Sequence, residues 1–311
     1  MPSTESPPTD SKAQKSSPRK GPDRKTGPSD SIRPRKYSAA FFFPINSAVT
    51  LETCLSPWSR KTPLVRLLLI DNSNTRTKFA LASGEHLDPG IIRIPTAALD
   101  RTAIEELRER LEFDASVLCS VVPAKSRVLR AALAGKPLHV VGCHSTLPIG
   151  INYPAPEQIG ADRLANAVAA YQQWGAPAVV IDFGTAVTFD VVGLDEGQPS
   201  YLGGVITPGL ASMTENLHRR TALLPQIDLA EPKSSIGKST IEAMQVGAVY
   251  GYRGMIREIL TAIRRELDHE PTVIATGGDA ALIAAGLTEV SEVVPGLTLE
   301  GIRLIGACNL S

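Results

Sequence analysis

The sequence has few cysteines, no excess of charge of either sign and no long hydrophobic run. Of its 311 residues only four are cysteines, and 32 basic residues balance 32 acidic ones. The cysteines (Cys54, Cys119, Cys143 and Cys308) are scattered and form no Cys-x-x-Cys pair, which argues against a disulfide framework or a cysteine metal site. Free cysteines are typical of a reducing cytoplasm, where we expect the protein to be located. Zero net charge gives no global attraction to nucleic acid or to a membrane surface, so neither is an expected partner.

Residues 1–63 differ in composition from the rest of the chain. The first 36 are dominated by proline, serine, lysine and arginine, and a short apolar patch that follows is interrupted by Pro44. Such a segment buries too little surface to offset the entropy cost of ordering, so 1–63 is predicted to be a disordered basic extension. The remainder is long enough for two modest domains, predicted at 64–175 and 176–311.

Two short polar corners stand out because each follows an apolar, strand-like run. The run Val179–Ile181 leads into Asp182, Gly184 and Thr185, and Leu67–Ile70 leads into Asp71 and Thr75. Each corner offers backbone N–H groups, a hydroxyl and a carboxylate, which are the groups that hold a nucleotide phosphate and its metal ion. The aspartates lie 111 positions apart, so we expect two similar lobes that face each other across a cleft.

A carboxylate and a guanidinium are predicted at the mouth of a helix in the middle of the chain. Prolines force an extended path up to about residue 157, and an alanine-rich helix is predicted over 161–174. Asp162 and Arg163 then lie in its first turn, where backbone N–H groups are free. We expect this position to keep Asp162 ionised and to limit its basicity.

The remaining periodicity predicts alternating strands and helices. Strands are expected at 64–70, 77–81, 91–95, 117–121, 138–141, 200–209 and 272–278, and helices at 103–112, 126–133, 210–219, from 239 or 240 to about 267, 279–285 and 299–307. Gly203 and Gly204 within a strand indicate the close approach of a ligand or of another backbone. Three early strands followed by alternating helices and strands are typical of a ribonuclease-H-like lobe.

Together these motifs resemble the type III pantothenate kinases, which belong to the acetate-kinase, sugar-kinase, Hsp70 and actin superfamily. The resemblance spans about residues 67–307 and rests on Asp71-x-x-Asn74-Thr75, Asn152-Tyr153, Gly160-Ala-Asp162-Arg163, Asp182-Phe-Gly-Thr-Ala186, Gly203-Gly-x-Ile-x-Pro-Gly209, Ile236-Gly-Lys-Ser-Thr240 and Ala275-Thr-Gly-Gly278. It implies an α/β fold of two ribonuclease-H-like lobes in an actin-like ATPase duplication. It also implies ATP-dependent phosphorylation of pantothenate, the first step toward coenzyme A, by a homodimer that uses Mg²⁺ and a monovalent cation, K⁺ or NH₄⁺.

The resemblance also implies roles for individual residues. Asp162 would be the general base, and Asp182 would hold the monovalent cation. The phosphate corners would be formed by Asp71, Asn72, Ser73, Asn74, Thr75, Arg76, Thr77, Lys78 and Thr185. Pantothenate would be bound by Tyr153, Gly160, Ala161, Asp162, Arg163 and Thr240.

One position departs from the family pattern, since the first corner usually reads Asp-x-Gly-Asn-Thr and has Ser73 in place of the glycine. Serine would be strained there if the position required a positive φ. Two alternative functions therefore stay open: a catalytically weak relative that acts as a regulatory or binding protein, and a kinase for another small hydroxy acid.

Overall fold

The computed structural model describes residues 65–84 and 86–310, so the extension predicted over 1–63 lies outside the described residues. The strands are β1 (Arg66–Asn72), β2 (Arg76–Ser83), β3 (His86–Leu87), β4 (Ile92–Pro95), β5 (Ala115–Ser120), β6 (Leu138–Val140), β7 (Gly150–Ile151), β8 (Ala178–Phe183), β9 (Ala186–Asp195), β10 (Gln198–Pro208), β11 (Thr272–Gly277) and β12 (Glu292–Val293). The α-helices are α1 (Arg101–Arg110), α2 (Pro123–Ala132), α3 (Ala161–Trp174), α4 (Leu210–Arg219), α5 (Thr240–Arg264), α6 (Ala280–Ala284) and α7 (Leu297–Asn309). Short 3₁₀ turns lie at Thr96–Ala98 and Pro156–Gln158.

The first sheet has the strand order β3-β2-β1-β5-β6, with β4 also paired to β2. β1 pairs antiparallel with β2 and parallel with β5. It is buried on both faces from Leu67 to Asn72, which explains its continuous apolar sequence.

The second sheet repeats this arrangement. Its order is β12-β11-β8-β9-β10-β7, in which β8 pairs antiparallel with β9 and parallel with β11. Each sheet therefore has three antiparallel strands followed by parallel ones, in the spatial order third, second, first, fourth, fifth. The chain is thus an α/β protein built from two ribonuclease-H-like lobes, as the sequence predicts.

Helix α3 lies between the two sheets and forms part of both cores. Its residues Leu164 and Val168 pack with β1 and β5, and Ala169 and Ala170 pack with β8 and β11. Helix α7 also packs against the first sheet, although it follows the second sheet in sequence. The domain boundary at 175/176 stays a prediction.

The predicted helix at 161–174 and that at 210–219 match the structure at both ends. Elsewhere the predicted ends lie within three residues of the observed ones, and β3, β7 and β12, which have only two residues each, were missed. The long helix ends at Arg264 rather than near residue 267. No helix within 65–84 and 86–310 has the length and apolar character needed to cross a membrane.

Candidate active site

The first corner is centred on the buried carboxylate of Asp71. The antiparallel register places Asp71 opposite Lys78, whose Nζ donates to Oδ2 at 2.8 Å. Burial lowers the pKa of Lys78, but the charge of Asp71 and its hydrogen bond outweigh this effect and the pKa is raised. Ser73 Oγ donates to the other carboxylate oxygen of Asp71 at 2.9 Å. Lys78 thus balances the negative charge of the buried Asp71 carboxylate.

Ser73 is not strained. Among the described residues other than glycine, only Glu196 has a positive φ. The corner closes through a hydrogen bond from Ser73 N to Arg76 O at 3.3 Å. Replacement of the family's usual glycine therefore leaves this corner with ordinary backbone geometry, and the condition under which we expected strain does not hold.

Besides Asp71, two of the predicted phosphate-binding residues have buried side chains. Asn72 and Thr77 are 1% and 0% exposed, and Asn72 Nδ2 donates to Thr77 Oγ1 at 2.8 Å. Ser120 Oγ donates to Asn72 Oδ1 at 2.7 Å, and the Thr77 and Thr96 hydroxyls are 3.0 Å apart. These buried side chains support the backbone of the corner on its interior side. Its exposed tip is formed by Asn74, Thr75 and Arg76.

The two corners contact each other directly. The hydroxyls of Thr75 and Thr185, on different lobes, lie 2.7 Å apart. The second corner rests on the start of α4, where Gly209 N donates to Thr185 O at 3.0 Å. A Cβ on Gly209 would lie 2.3 Å from Thr185 O, so only glycine permits this contact. The predicted pairing of two facing corners is confirmed.

Asp162 lies in the first turn of α3, as predicted, and its Oδ1 accepts from Arg163 N at 2.9 Å. Burial raises the pKa of Asp162, the charge of Asp71 raises it further, and the backbone N–H of Arg163 opposes the rise. The expectation that the helix start would limit the basicity of Asp162 is therefore wrong, because burial and a neighbouring carboxylate outweigh the helix N-terminus.

Asp182 is the last residue but one of β8 and lies on the face of that strand that packs against α3. Its Oδ2 accepts from Asn166 Nδ2 at 3.3 Å, and Asn166 Oδ1 accepts from Thr298 Oγ1 of α7 at 2.8 Å. Burial raises the pKa of Asp182 to about 6, with Asp71 and Asp162 adding to the rise and with Asn166 and Lys78 opposing it. The carboxylates of Asp71, Asp162 and Asp182 thus lie close enough to influence one another.

Arg163 is paired with a residue that the sequence did not single out. Its Nε donates to Asp190 Oδ1 at 2.5 Å, and its Nη2 donates to Phe189 O at 3.1 Å. Burial raises the pKa of Asp190 to about 7, although the charge of Arg163 opposes the rise. Tyr201 OH also donates to Asp190, at 3.4 Å, and its ring lies 5.8 Å from the guanidinium carbon.

Paired glycines open space beside this cluster. Gly203 has φ 114°, and a Cβ there would lie 3.5 Å from the ring of Tyr153. A Cβ on Gly204 would overlap Phe189 O and lie 2.8 Å from Arg163 Nη2. The predicted close approach of another backbone is confirmed at Gly204.

Thr240 lies apart from the other predicted pantothenate residues. It is exposed at the start of α5, which packs on Val179, Ile181 and Phe183. Because side chains alternate along a strand, these three point away from α3. Within one protomer, Thr240 therefore lies on the opposite face of the second sheet from Asp162.

Three residues of the site were missed by sequence analysis: Asn166, Asp190 and Tyr201. Asn166 carried a weak signal, because it follows Asp162 by one helical turn on the same face. Asp190 is a polar residue within an apolar strand, and its buried partner could not be identified from spacing alone.

Comparisons with known proteins point to one family. Residues 67–262 match the family model of the type III pantothenate kinases. A type III pantothenate kinase of Akkermansia muciniphila is 54% identical over 243 residues, covering 78% of this chain and 99% of that protein. One of Methylacidiphilum infernorum is 43% identical over 244 residues, covering 77% and 88%. A solved structure of a Baf family protein from Campylobacter jejuni has a TM-score of 0.50 at 17% identity, covers 77% of this chain and 96% of that one, and shows the shared fold.

Proposed function

Because this chain belongs to the type III pantothenate kinase family and is an ATP-dependent pantothenate kinase of coenzyme A biosynthesis, we propose that its inter-lobe cleft is the active site, with Asp162 as general base. The observation that carries this assignment is the contact of Thr75 with Thr185 between the two corners, together with the closeness of Asp71, which pairs with Lys78, to Asp162 in the first turn of α3.

The corners would hold the ATP phosphates. Phosphoryl transfer requires mainly positioning and neutralisation of charge. Lys78 supplies one positive charge, the exposed tip of the first corner and Thr185 supply hydroxyl and backbone donors, and the start of α4 beside Thr185 adds free N–H groups. Asn72 and Thr77 would act indirectly, by holding the backbone of the corner.

The residues present fit a cation bound together with the nucleotide. Burial raises the pKa of Asp182, the charges of Asp71 and Asp162 add to the rise, and a nearby positive charge would relieve their repulsion. Within the described part of the chain, no three acidic, histidine or cysteine side chains are grouped to hold a metal on their own. That matches Mg²⁺, which is usually held by one or two carboxylates and the substrate phosphates. Mg²⁺ would neutralise phosphate charge, and Asp182 would contribute to a site for K⁺ or NH₄⁺.

Pantothenate would lie beside Tyr153, Gly160, Ala161 and Arg163, with its terminal hydroxyl next to Asp162. The raised pKa of Asp162 favours acceptance of the hydroxyl proton as the phosphoryl group is transferred. Arg163 keeps three guanidinium N–H groups beyond the two that bind Asp190 and Phe189, and these can bind the pantothenate carboxylate.

A homodimer would complete the pocket. Thr240 begins on the far face of the sheet from Asp162, so its predicted contact with pantothenate requires Thr240 of a second protomer. Exposed apolar side chains on β10 and α4 offer a surface for that protomer: Ile206 (63%), Met213 (41%) and Leu217 (43%). Mixing inactive Asp162→Asn with inactive Thr240→Ala protomers should restore about a quarter of the activity if each pocket uses both chains.

The principal test is Asp162→Asn, assayed by ADP release with ATP, Mg²⁺ and pantothenate. Loss of a general base predicts a fall in kcat of about 10² to 10⁴-fold. The melting temperature should stay close to that of the unmodified protein, because asparagine can still accept from Arg163 N. A kcat within threefold of the unmodified protein would exclude Asp162 as the base. In the same assay the unmodified protein should phosphorylate pantothenate in preference to other small hydroxy acids.

A further inference from the structure

Asp190 is a carboxylate in the core that cannot itself reach a substrate. It is 0% exposed and lies on the face of β9 that packs against α3. Its oxygens accept from Arg163 Nε at 2.5 Å and from the hydroxyls of Thr188 and Tyr201 at 3.4 Å each. Any role of Asp190 in the reaction must therefore be exerted through Arg163.

The guanidinium of Arg163 is held on several sides. Asp190 binds Nε, Phe189 O accepts from Nη2, and the ring of Tyr201 lies alongside. Gly204 makes room for Nη2, because a Cβ at that position would lie 2.8 Å away. Only 12% of the Arg163 side chain stays exposed. A guanidinium is planar, so fixing its inner edge also fixes the direction of its remaining N–H groups.

Stability alone gives a weak reason for this pair. Removing two charges from water costs several kcal/mol per ion, and a buried pair often contributes no more than apolar residues of the same size. Burial also raises the pKa of Asp190, so its charged form is disfavoured there. The buried carboxylate of Asp190 is better explained by its effect on the orientation of Arg163, which adjoins Asp162 in the sequence.

We propose that Asp190 is a positioning residue, which aligns the free edge of Arg163 with the carboxylate end of pantothenate and so makes the enzyme select acids over neutral analogues. This inference rests on the proposed function, in which Arg163 binds that carboxylate. Asp190 determines selectivity and pantothenate KM, whereas Asp162 determines kcat.

The test compares pantothenate with pantothenol, its alcohol analogue, which carries the same phosphorylated hydroxyl but no carboxylate. The quantity measured is kcat/KM for pantothenate divided by kcat/KM for pantothenol. Asp190→Asn should lower this ratio at least tenfold by raising KM for pantothenate, while KM for ATP changes less than twofold. Arg163→Gln should lower the ratio at least as much. The double variant should lose little beyond Arg163→Gln alone, because both residues act through one contact.

Two further variants control for folding. Tyr201→Phe keeps the ring and removes one donor to Asp190, and it should lower the ratio two- to fivefold even if Asp190→Asn fails to fold. Glu300→Gln weakens a different buried arginine pair, in which Arg303 Nη2 donates to Glu300 at 2.6 Å, and it should leave the ratio unchanged.

The outcomes separate the two levels of inference. An unchanged ratio in Arg163→Gln would overturn the assignment of Arg163 under the proposed function. A lowered ratio in Arg163→Gln, with unchanged ratios in Asp190→Asn and Tyr201→Phe, would overturn the role of Asp190 alone. Equal losses on both substrates in the Asp190 variant would show that it only stabilises the fold.

Discussion

Gly160 is the position where a single methyl group should disable the site without disturbing the fold. It is the N-cap residue of α3 and has φ −57° and ψ 136°, values that any L-residue adopts. A Cβ there would lie 2.5 Å from Asp162 Oδ1 but no closer than 3.5 Å to any other atom outside its chain neighbours. Gly160→Ala therefore acts on the proposed base itself.

The size of the effect follows from that distance. Cβ contacts below 3.0 Å are essentially never seen, so the carboxylate oxygen must move by roughly 0.5 Å or more. A displacement of that order is the tolerance of a catalytic group, and about 1 Å costs on the order of 10²-fold. We expect kcat to fall about 10- to 100-fold.

The fold should change little. Alanine is a poorer N-cap than glycine, which destabilises the fold. It also reduces the conformational entropy of the unfolded chain, which stabilises the fold by about 0.4–1 kcal/mol, so the two effects nearly cancel. The net change should be within about 1 kcal/mol, or a melting shift of roughly 2–4 °C.

The assay measures ADP release at saturating ATP and pantothenate together with a melting curve. Gly296→Ala is the matched control, because Gly296 is the N-cap of α7 and a Cβ there meets nothing within 4 Å. The control should retain full kcat. A Gly160→Ala enzyme with kcat within twofold of the unmodified protein would show that the position of the Asp162 carboxylate does not limit the reaction.

Three further predictions concern the surroundings of the site and the fold. Thr298→Val removes the hydroxyl that fixes Asn166 against Asp182. Under the proposed role of Asp182 in binding K⁺, KCl should raise the melting temperature of this variant less than that of the unmodified protein, and the KCl concentration needed for half-maximal activity should increase severalfold; an unchanged response to KCl would contradict this role. Arg253→Met should lower the free energy of urea unfolding by about 2–4 kcal/mol, since Arg253 is buried and binds Glu231 and two carbonyls. Arg257→Met on the same helix should lower it by under about 1 kcal/mol. Similar losses in the two variants would refute the distinction between a buried and an exposed arginine. Burial raises the pKa of Asp182 to about 6 and that of Asp190 to about 7, above the ordinary 3.8, so the folded state binds more protons than the unfolded state between about pH 4 and 7. The contribution of these groups to the free energy of unfolding therefore falls as pH rises. Urea unfolding across that range should show a shallower fall of the unfolding free energy in Asp190→Asn than in the unmodified protein, and equal slopes would count against these pKa values.

Much of the fold could be predicted because local chemistry and tertiary structure agree. The helix over 161–174 was located at both ends, since prolines and Gly160 precede an alanine-rich run and Gly175 follows it with φ 76°. The shortest strands were missed, because two residues carry no periodicity.

The electrostatics of the site could not be predicted in the same way. The sequence places Asp162 at a helix N-terminus, which favours its charged form. The structure adds burial and the charge of Asp71, which is distant in sequence but near in space, and the pKa of Asp162 rises. Likewise, the strain expected at Ser73 depended on a backbone angle that residue type does not fix.

The sequence by itself determined the two corners, the helix that starts beside Asp162 and the family, because each depends on short runs of neighbouring residues. Only the tertiary structure decided which polar groups share a buried environment. Asn166 receives its hydrogen bond from 132 positions away, and Asp190 meets Arg163 across 27 positions. Contacts of this kind depend on how strands and helices pack, and it is packing that sets burial and charge–charge distances, and with them the pKa values and the direction of each side chain.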